Sequence, residues 1–173
     1  MKIRDLLLID PAFAAGVSAI PSDANPFKEE AALQEAQLLD FRFDALAGVA
    51  GLLFELRQSL QPWESNTGVL VADRVSAFAW SGPKREPGVM ALPIVGSEFS
   101  VKEGAFKLTL DVWLGPGAEL SLSAGNAAFY TGNVPGLTQA PPDYTENDRS
   151  MLIGQIPAWD SLFEPTGASW LIG

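Results

Sequence analysis

Asp143, Glu146 and Asp148 crowd one short stretch near the C-terminus. Carboxylates at such spacing are the residue type that holds Ca²⁺ or Mg²⁺ through oxygen. The EF-hand pattern is missing, however: no alternate-position series, no glycine at the sharp turn and no closing bidentate Glu. Thr145 followed three residues later by Asp148 resembles a capping box instead, and carboxylates in a first helical turn are held by the helix dipole. No metal is expected here. Paired carboxylates can also hydrolyse glycosides, the main hydrolytic chemistry open to Asp and Glu alone, if they stand roughly 5–9 Å apart. Asp40, Asp44, Glu55, Asp73 and Asp111 are the candidates, but they alternate with apolar residues, which puts most of them on the wet face of a sheet. Ser81, Ser97 and Ser100 have no histidine to activate them. Lys84, Lys102 and Lys107 stand at no spacing that makes a Ser-Lys pair. Gly115-Pro116-Gly117 lacks the following Lys-Ser/Thr of a phosphate loop and sits between two strands.

The 173 residues include no histidine and no cysteine. That removes the usual base near neutral pH, imidazole and thiolate metal ligands, and the Cys nucleophile. Zinc fingers, Ser-His-Asp hydrolases, papain-like proteases and Fe–S carriers are thereby excluded. No catalytic residue, metal ligand or cofactor is expected, and the expected activity is not enzymatic.

Binding is the remaining chemistry. The formal charge is −10, and residues 109–173 hold seven acids against Arg149 alone, a net of −6. Such a field repels nucleic acid and anionic lipid and speeds encounter with basic proteins. Five tryptophans add apolar anchors: Trp63, Trp80, Trp113, Trp159 and Trp170. Trp113 falls on the polar side of the clearest strand, where the C-terminal tail is expected to cover it; uncovered, it would anchor a partner. Trp63, between Pro62 and Glu64 in a loop, is the better exposed contact. The expected partner-binding set is Trp63, Asp111, Trp113, Glu119, Asp143, Glu146 and Asp148.

The elements that must position these residues are mostly strands. Phe106, Leu108, Leu110, Val112 and Leu114 alternate with Lys107, Thr109, Asp111 and Trp113, and Leu120, Leu122 and Ala124 return against Glu119, Ser121 and Ser123 after a Gly-Pro-Gly turn. Phe129 and Tyr130 continue that strand past a bulge at Gly125-Asn126. Leu39, Phe41 and Phe43 alternate with Asp40, Arg42 and Asp44. Residues 45–60 fit either a partner strand carrying Leu52, Phe54 and Leu56, with the turn at Ala47-Gly48, or a helix capped by Asp44; Gly48 and Gly51 favour the hairpin. Val69–Trp80 is β-like. Short helices are expected after Asp10-Pro11 and Asn25-Pro26, where Pro follows an N-cap residue. Past Val134-Pro135-Gly136 the tail reads as irregular, with one short helix from Thr145, and wraps the sheet to bury its aromatics.

The stretches Leu39–Asp44, Leu52–Arg57 and Pro141-Pro142-Asp143-Tyr144 resemble uncharacterised small acidic bacterial proteins with no assigned activity. In charge and size the chain is also similar to immunity proteins that neutralise toxins. The expected fold is α+β in one domain. Short helices occupy residues 1–37, a mainly antiparallel twisted sheet of about five to seven strands residues 38–132, and the wrapping tail residues 133–173. The expected function is a non-catalytic, acidic protein-binding module that masks a basic protein. The alternatives are a small-ligand carrier lined by Phe106, Leu108, Leu110, Phe41 and Phe43, or a carboxylate hydrolase. A Cys-free chain suits a reducing cytoplasm. No apolar run approaches the ~20 residues of a membrane helix.

Overall fold

Phe106, Leu108, Leu110 and Val112 are buried while Lys107 and Asp111 stand exposed, so the clearest alternation in the sequence becomes a strand with one dry and one wet face. The computed structural model describes residues 1–8, 17–61, 64–82, 91–113, 118–137, 140–144 and 152–172. They form eight strands: β1 (Ser18–Ala19), β2 (Gln37–Asp44), β3 (Val49–Glu55), β4 (Thr67–Ser81), β5 (Leu92–Lys102), β6 (Ala105–Val112), β7 (Glu119–Asn133) and β8 (Glu164–Ile172). All pairings are antiparallel except β1 against β8. The spatial order is β1-β8-β7-β4-β3-β2-β5-β6, and β6 pairs again with β7. That second pairing closes β2, β3, β4, β7, β6 and β5 into a six-stranded barrel. The seam is narrow where β2 meets β5, at Gln37↔Pro93 and Leu38↔Leu92.

The long strand β7 gives one edge to β4 along its whole length. It divides the other edge, with Glu119–Ala124 bound to β6 and Asn126–Asn133 to β8. The irregularity foreseen at Gly125-Asn126 falls instead on β4, between Val75 and Ala77, opposite Ala124. The tail is therefore a strand over Glu164–Ile172 rather than irregular wrapping. Beyond β6 the β7 edge is an unpaired row of N–H and C=O groups, and β8 satisfies it.

Two cores lie on the two faces of the sheet. Leu52, Phe54, Leu70, Phe106, Leu108, Leu110, Leu122 and Phe129 fill the barrel. Ile3, Leu6, Leu53, Val69, Tyr130, Trp159 and Phe163 form a second layer outside it. The 3-10 turn Ile3–Leu8 and the segment around Trp159 supply that layer, so β3 is buried on both faces. Gly51 is needed there, because a Cβ would lie 2.8 Å from the Trp159 ring and 2.5 Å from Leu7. Gly48 closes the β2–β3 turn at φ +66, where other residues are strained. The hairpin reading of residues 45–60 is the observed one.

The helix expected after Asn25-Pro26 does not propagate. The Asn25 side chain does accept the Phe27 N–H at 2.9 Å, but residues 26–35 then run through successive turns to Glu35 at φ 66. An isolated helix of about ten residues is marginal, so tertiary contacts decide its conformation. Here Phe27, Leu33 and Ala36 dock on the barrel interior, with Phe27 packing on Phe99 and Phe106. The helical elements that lie wholly among the described residues are 3-10 turns at Ile3–Leu8 and Ser22–Ala24. The protein is thus mostly β rather than α+β, with eight strands among the described residues where five to seven were expected. The helix expected at Asp10-Pro11, the Gly115-Pro116-Gly117 turn and most of the helix expected from Thr145 lie outside the described residues.

Candidate interaction surface

The outward rows of β4, β7, β6 and β5 follow directly from the register. Ser81, Glu119, Asp111 and Gly96 lie side by side; Ala79, Ser121, Thr109 and Glu98 form the next row; Ala77, Ser123, Lys107 and Ser100 the third. All twelve are exposed or half-buried. Asp111 and Glu119 are direct cross-strand partners, a like-charge placement that destabilises a sheet. Neither has an ion pair among the described residues. Gly96, on the other side of Asp111, leaves its carboxylate uncovered. Two residues on, the Trp113 backbone N–H is pinned to the Pro93 carbonyl at 2.8 Å, and its side chain is 72 % exposed. Among the described residues the expected tail cover is not seen, and β8 is committed to the far half of β7. Three of the residues singled out in the sequence therefore meet on one open face. Asp143 is exposed elsewhere, beside Tyr144, which binds Glu55 at the opposite end of the barrel. Trp63, Glu146 and Asp148 lie outside the described residues.

The carboxylates considered for hydrolysis are dispersed into separate tasks. Asp44 accepts the Leu46 and Ala47 N–H groups of the hairpin turn. Asp73 accepts from Asn126, and Asp40 accepts the Trp159 indole N–H at 2.8 Å. Among the described residues no group of three or more Asp or Glu could hold a metal ion, and no helix is long and apolar enough to cross a membrane.

Glu55 departs most from the sequence reading, which put it on the wet side of β3. It is 0 % exposed. Arg57 Nε donates to its Oε1 at 2.7 Å, the Arg57 backbone N–H to the same oxygen, and the Tyr144 hydroxyl to Oε2 at 3.2 Å. Arg57 also donates to the Gln155 and Ala140 carbonyls, so one buried charge pair ties the segment near Tyr144 and Gln155 to the end of β3. Burial opposes the charge on Arg57, but the hydrogen bond and charge of Glu55 outweigh it and raise its pKa. Burial, then the Glu55 charge, push the Tyr144 phenol well above its usual range against the pull of Arg57. A raised tyrosine pKa stabilises the fold fully below about pH 10, the value of an unfolded tyrosine, and that contribution is lost as pH rises further. Above pH 10 the unfolded chain sheds a proton the folded state keeps. The stability gap between wild type and Tyr144→Phe should therefore narrow between pH 9 and pH 11 in urea titrations; an unchanging gap would contradict this environment.

A cleft of about 330 Å³ lies on the outer face of β2, bounded by Leu39, Asp40, Arg42 and Leu53 on one side and residues 152–154 and 156–160 on the other. Trp159 forms its base, 3 % exposed, gripped at its edge by Asp40 and on its face by Arg42, whose Cζ stands 4.9 Å from the ring centroid. Sequence reasoning missed this site. Its one local signal is the Asp40–Arg42 pair two apart on a strand, while Trp159 lies far away in the chain. The barrel interior imagined as a ligand pocket is occupied by its own side chains at Phe106, Leu108 and Leu110. Phe41 and Phe43 stand half-exposed at the barrel mouth against Phe78.

No protein-family model matches the chain, and no curated protein does. Among solved structures it is similar to an uncharacterized protein from Neisseria gonorrhoeae, at 14% identity and a TM-score of 0.39, over 56% of this chain and 90% of that one.

Proposed function

We propose that the protein is a non-catalytic binding module whose open β5–β6–β7 face docks a basic protein, in the manner of a cytoplasmic inhibitor or immunity protein. The observation that supports this most is Trp113, largely exposed two residues from Asp111, which faces Glu119 with no ion pair to either carboxylate among the described residues. A lysine or arginine from a partner would relieve the Asp111–Glu119 repulsion, and the indole would supply the apolar anchor common at interface hot spots. Apart from Glu98 and Lys107, the surrounding outward side chains are small Ser, Thr, Ala and Gly residues with little side-chain entropy to lose.

Trp113→Ala and the pair Asp111→Asn/Glu119→Gln test the reading. Trp113→Ala should leave folding stability within about 0.5 kcal/mol, as for surface positions generally. It should weaken capture of the basic partner from the native host by at least ~30-fold, the loss of a hot spot of about 2 kcal/mol. Removing the two charges should flatten the salt dependence of the association rate. Capture that is insensitive to salt, or equal for wild type and Trp113→Ala, would sink the proposal.

A further inference from the structure

We infer that the cleft on the outer face of β2 is a separate binding site for a small monocarboxylate with an apolar body. Its volume, about 330 Å³, falls at the lower end of small-molecule sites. Leu53, Ile156, Pro157 and Trp159 give it apolar walls, and three charged residues line it: Asp40, Arg42 and Asp160. The charged groups differ in what they still need. Asp40 already accepts the Trp159 indole N–H, and Asp160 is held by Arg4 at 2.6 Å and Lys2 at 3.7 Å. Arg42 makes no hydrogen bond or ion pair among the described residues; its contact is the face of Trp159. Arg42 is otherwise exposed, so its N–H donors face solvent and are open to an acceptor.

An acceptor entering the cleft would replace water on these donors, and a planar carboxylate matches the guanidinium fork. Asp40, which has no ion pair among the described residues, disfavours a doubly charged phosphate beside Arg42, so the anion carries a single charge. The hydrocarbon part lies against the apolar walls. Trp159 is presented rigidly, since Asp40 fixes its edge and Gly51 admits its ring against β3. The site stands on the opposite side of the sheet from the barrel core, in the layer containing Leu53 and Trp159, and shares no residue with the Trp113 face.

The test is a titration of the full chain with 4-phenylbutyrate, its amide and the corresponding amine, followed by ¹H–¹⁵N spectra with the Trp159 and Trp113 indole signals assigned. The carboxylate should move the Trp159 indole N–H saturably and leave Trp113 unmoved. The amide should bind about tenfold more weakly or worse, as should the carboxylate to Arg42→Gln, the loss expected for charge-assisted hydrogen bonds. Arg42→Lys, which keeps the charge without the fork, should fall between. The inference is overturned by an absence of saturable shift, by equal binding of the amide, by tighter binding of the amine, or by a response centred on Phe41, Phe43 and Trp80. Each of these results leaves the Trp113 face untouched.

Discussion

Glu55→Gln should destabilise the protein by about 3–5 kcal/mol, the cost of stranding one member of a buried ion pair. The melting temperature should fall by roughly 10 °C for a domain of this size. Glu55 is fully buried and the Arg57 side chain is 5 % exposed, so neither charge is rescued by water once its partner is gone. The substitution keeps the shape of the side chain but leaves the guanidinium facing a neutral amide. Arg57→Met should cost a similar amount, leaving the carboxylate with the Tyr144 hydroxyl and a backbone N–H. The double variant Glu55→Gln/Arg57→Met should recover much of the loss, because no buried charge remains. Urea denaturation of the three variants at neutral pH measures this. Single-variant losses below about 1 kcal/mol, the range of exposed pairs, would mean that water reaches the pair.

Phe129→Ala should cost about 3–5 kcal/mol by a different route, the cavity left in the barrel. Its ring is 0 % exposed, packs edge-on against Phe54 at 6.1 Å and lies over Gly68, where a Cβ would come within 3.0 Å of it. The bare backbone at Gly68 makes room for this ring, so neighbouring side chains have little means of filling the void. Truncating Phe43, which is 44 % exposed at the barrel mouth, removes much less buried area. Equal losses for Phe129→Ala and Phe43→Ala in denaturant titrations would show that the barrel interior collapses freely.

Parts of this architecture are legible in the residues. The β6–β7 pairing is, because Phe106 to Val112 and Leu120 to Ala124 repeat every second position on either side of a Gly-Pro-Gly sequence. The β2–β3 hairpin is, through Gly48. The face of β2 is not. Leu39, Phe41 and Phe43 look like one apolar row, yet the register slips between Leu38 and Asp40. Leu39 joins the outer layer, and Phe41 and Phe43 turn to the barrel mouth. One inserted residue reverses the facing of all that precede it. The open face of β5, β6 and β7 was half legible. Asp111, Glu119 and Trp113 could be grouped from their strands, whereas Asp143 could not be separated from them, since nothing local tells which end of the barrel the tail reaches.

Alternation along a strand depends on neighbours two positions away, so the amino-acid order alone determined that this protein is β-rich, acidic and without imidazole or thiol chemistry. Closure through Leu38 and Leu92, the pairing of β8 with β7, and the burial of Glu55 were decided only by tertiary structure. The same holds for the Trp159 cleft, where Asp40 meets an indole 119 positions away. Whether a side chain is wet, dry or charged in place depends on what packs over it. Here those covering segments arrive from distant parts of the chain, and the residues beneath carry no mark of them.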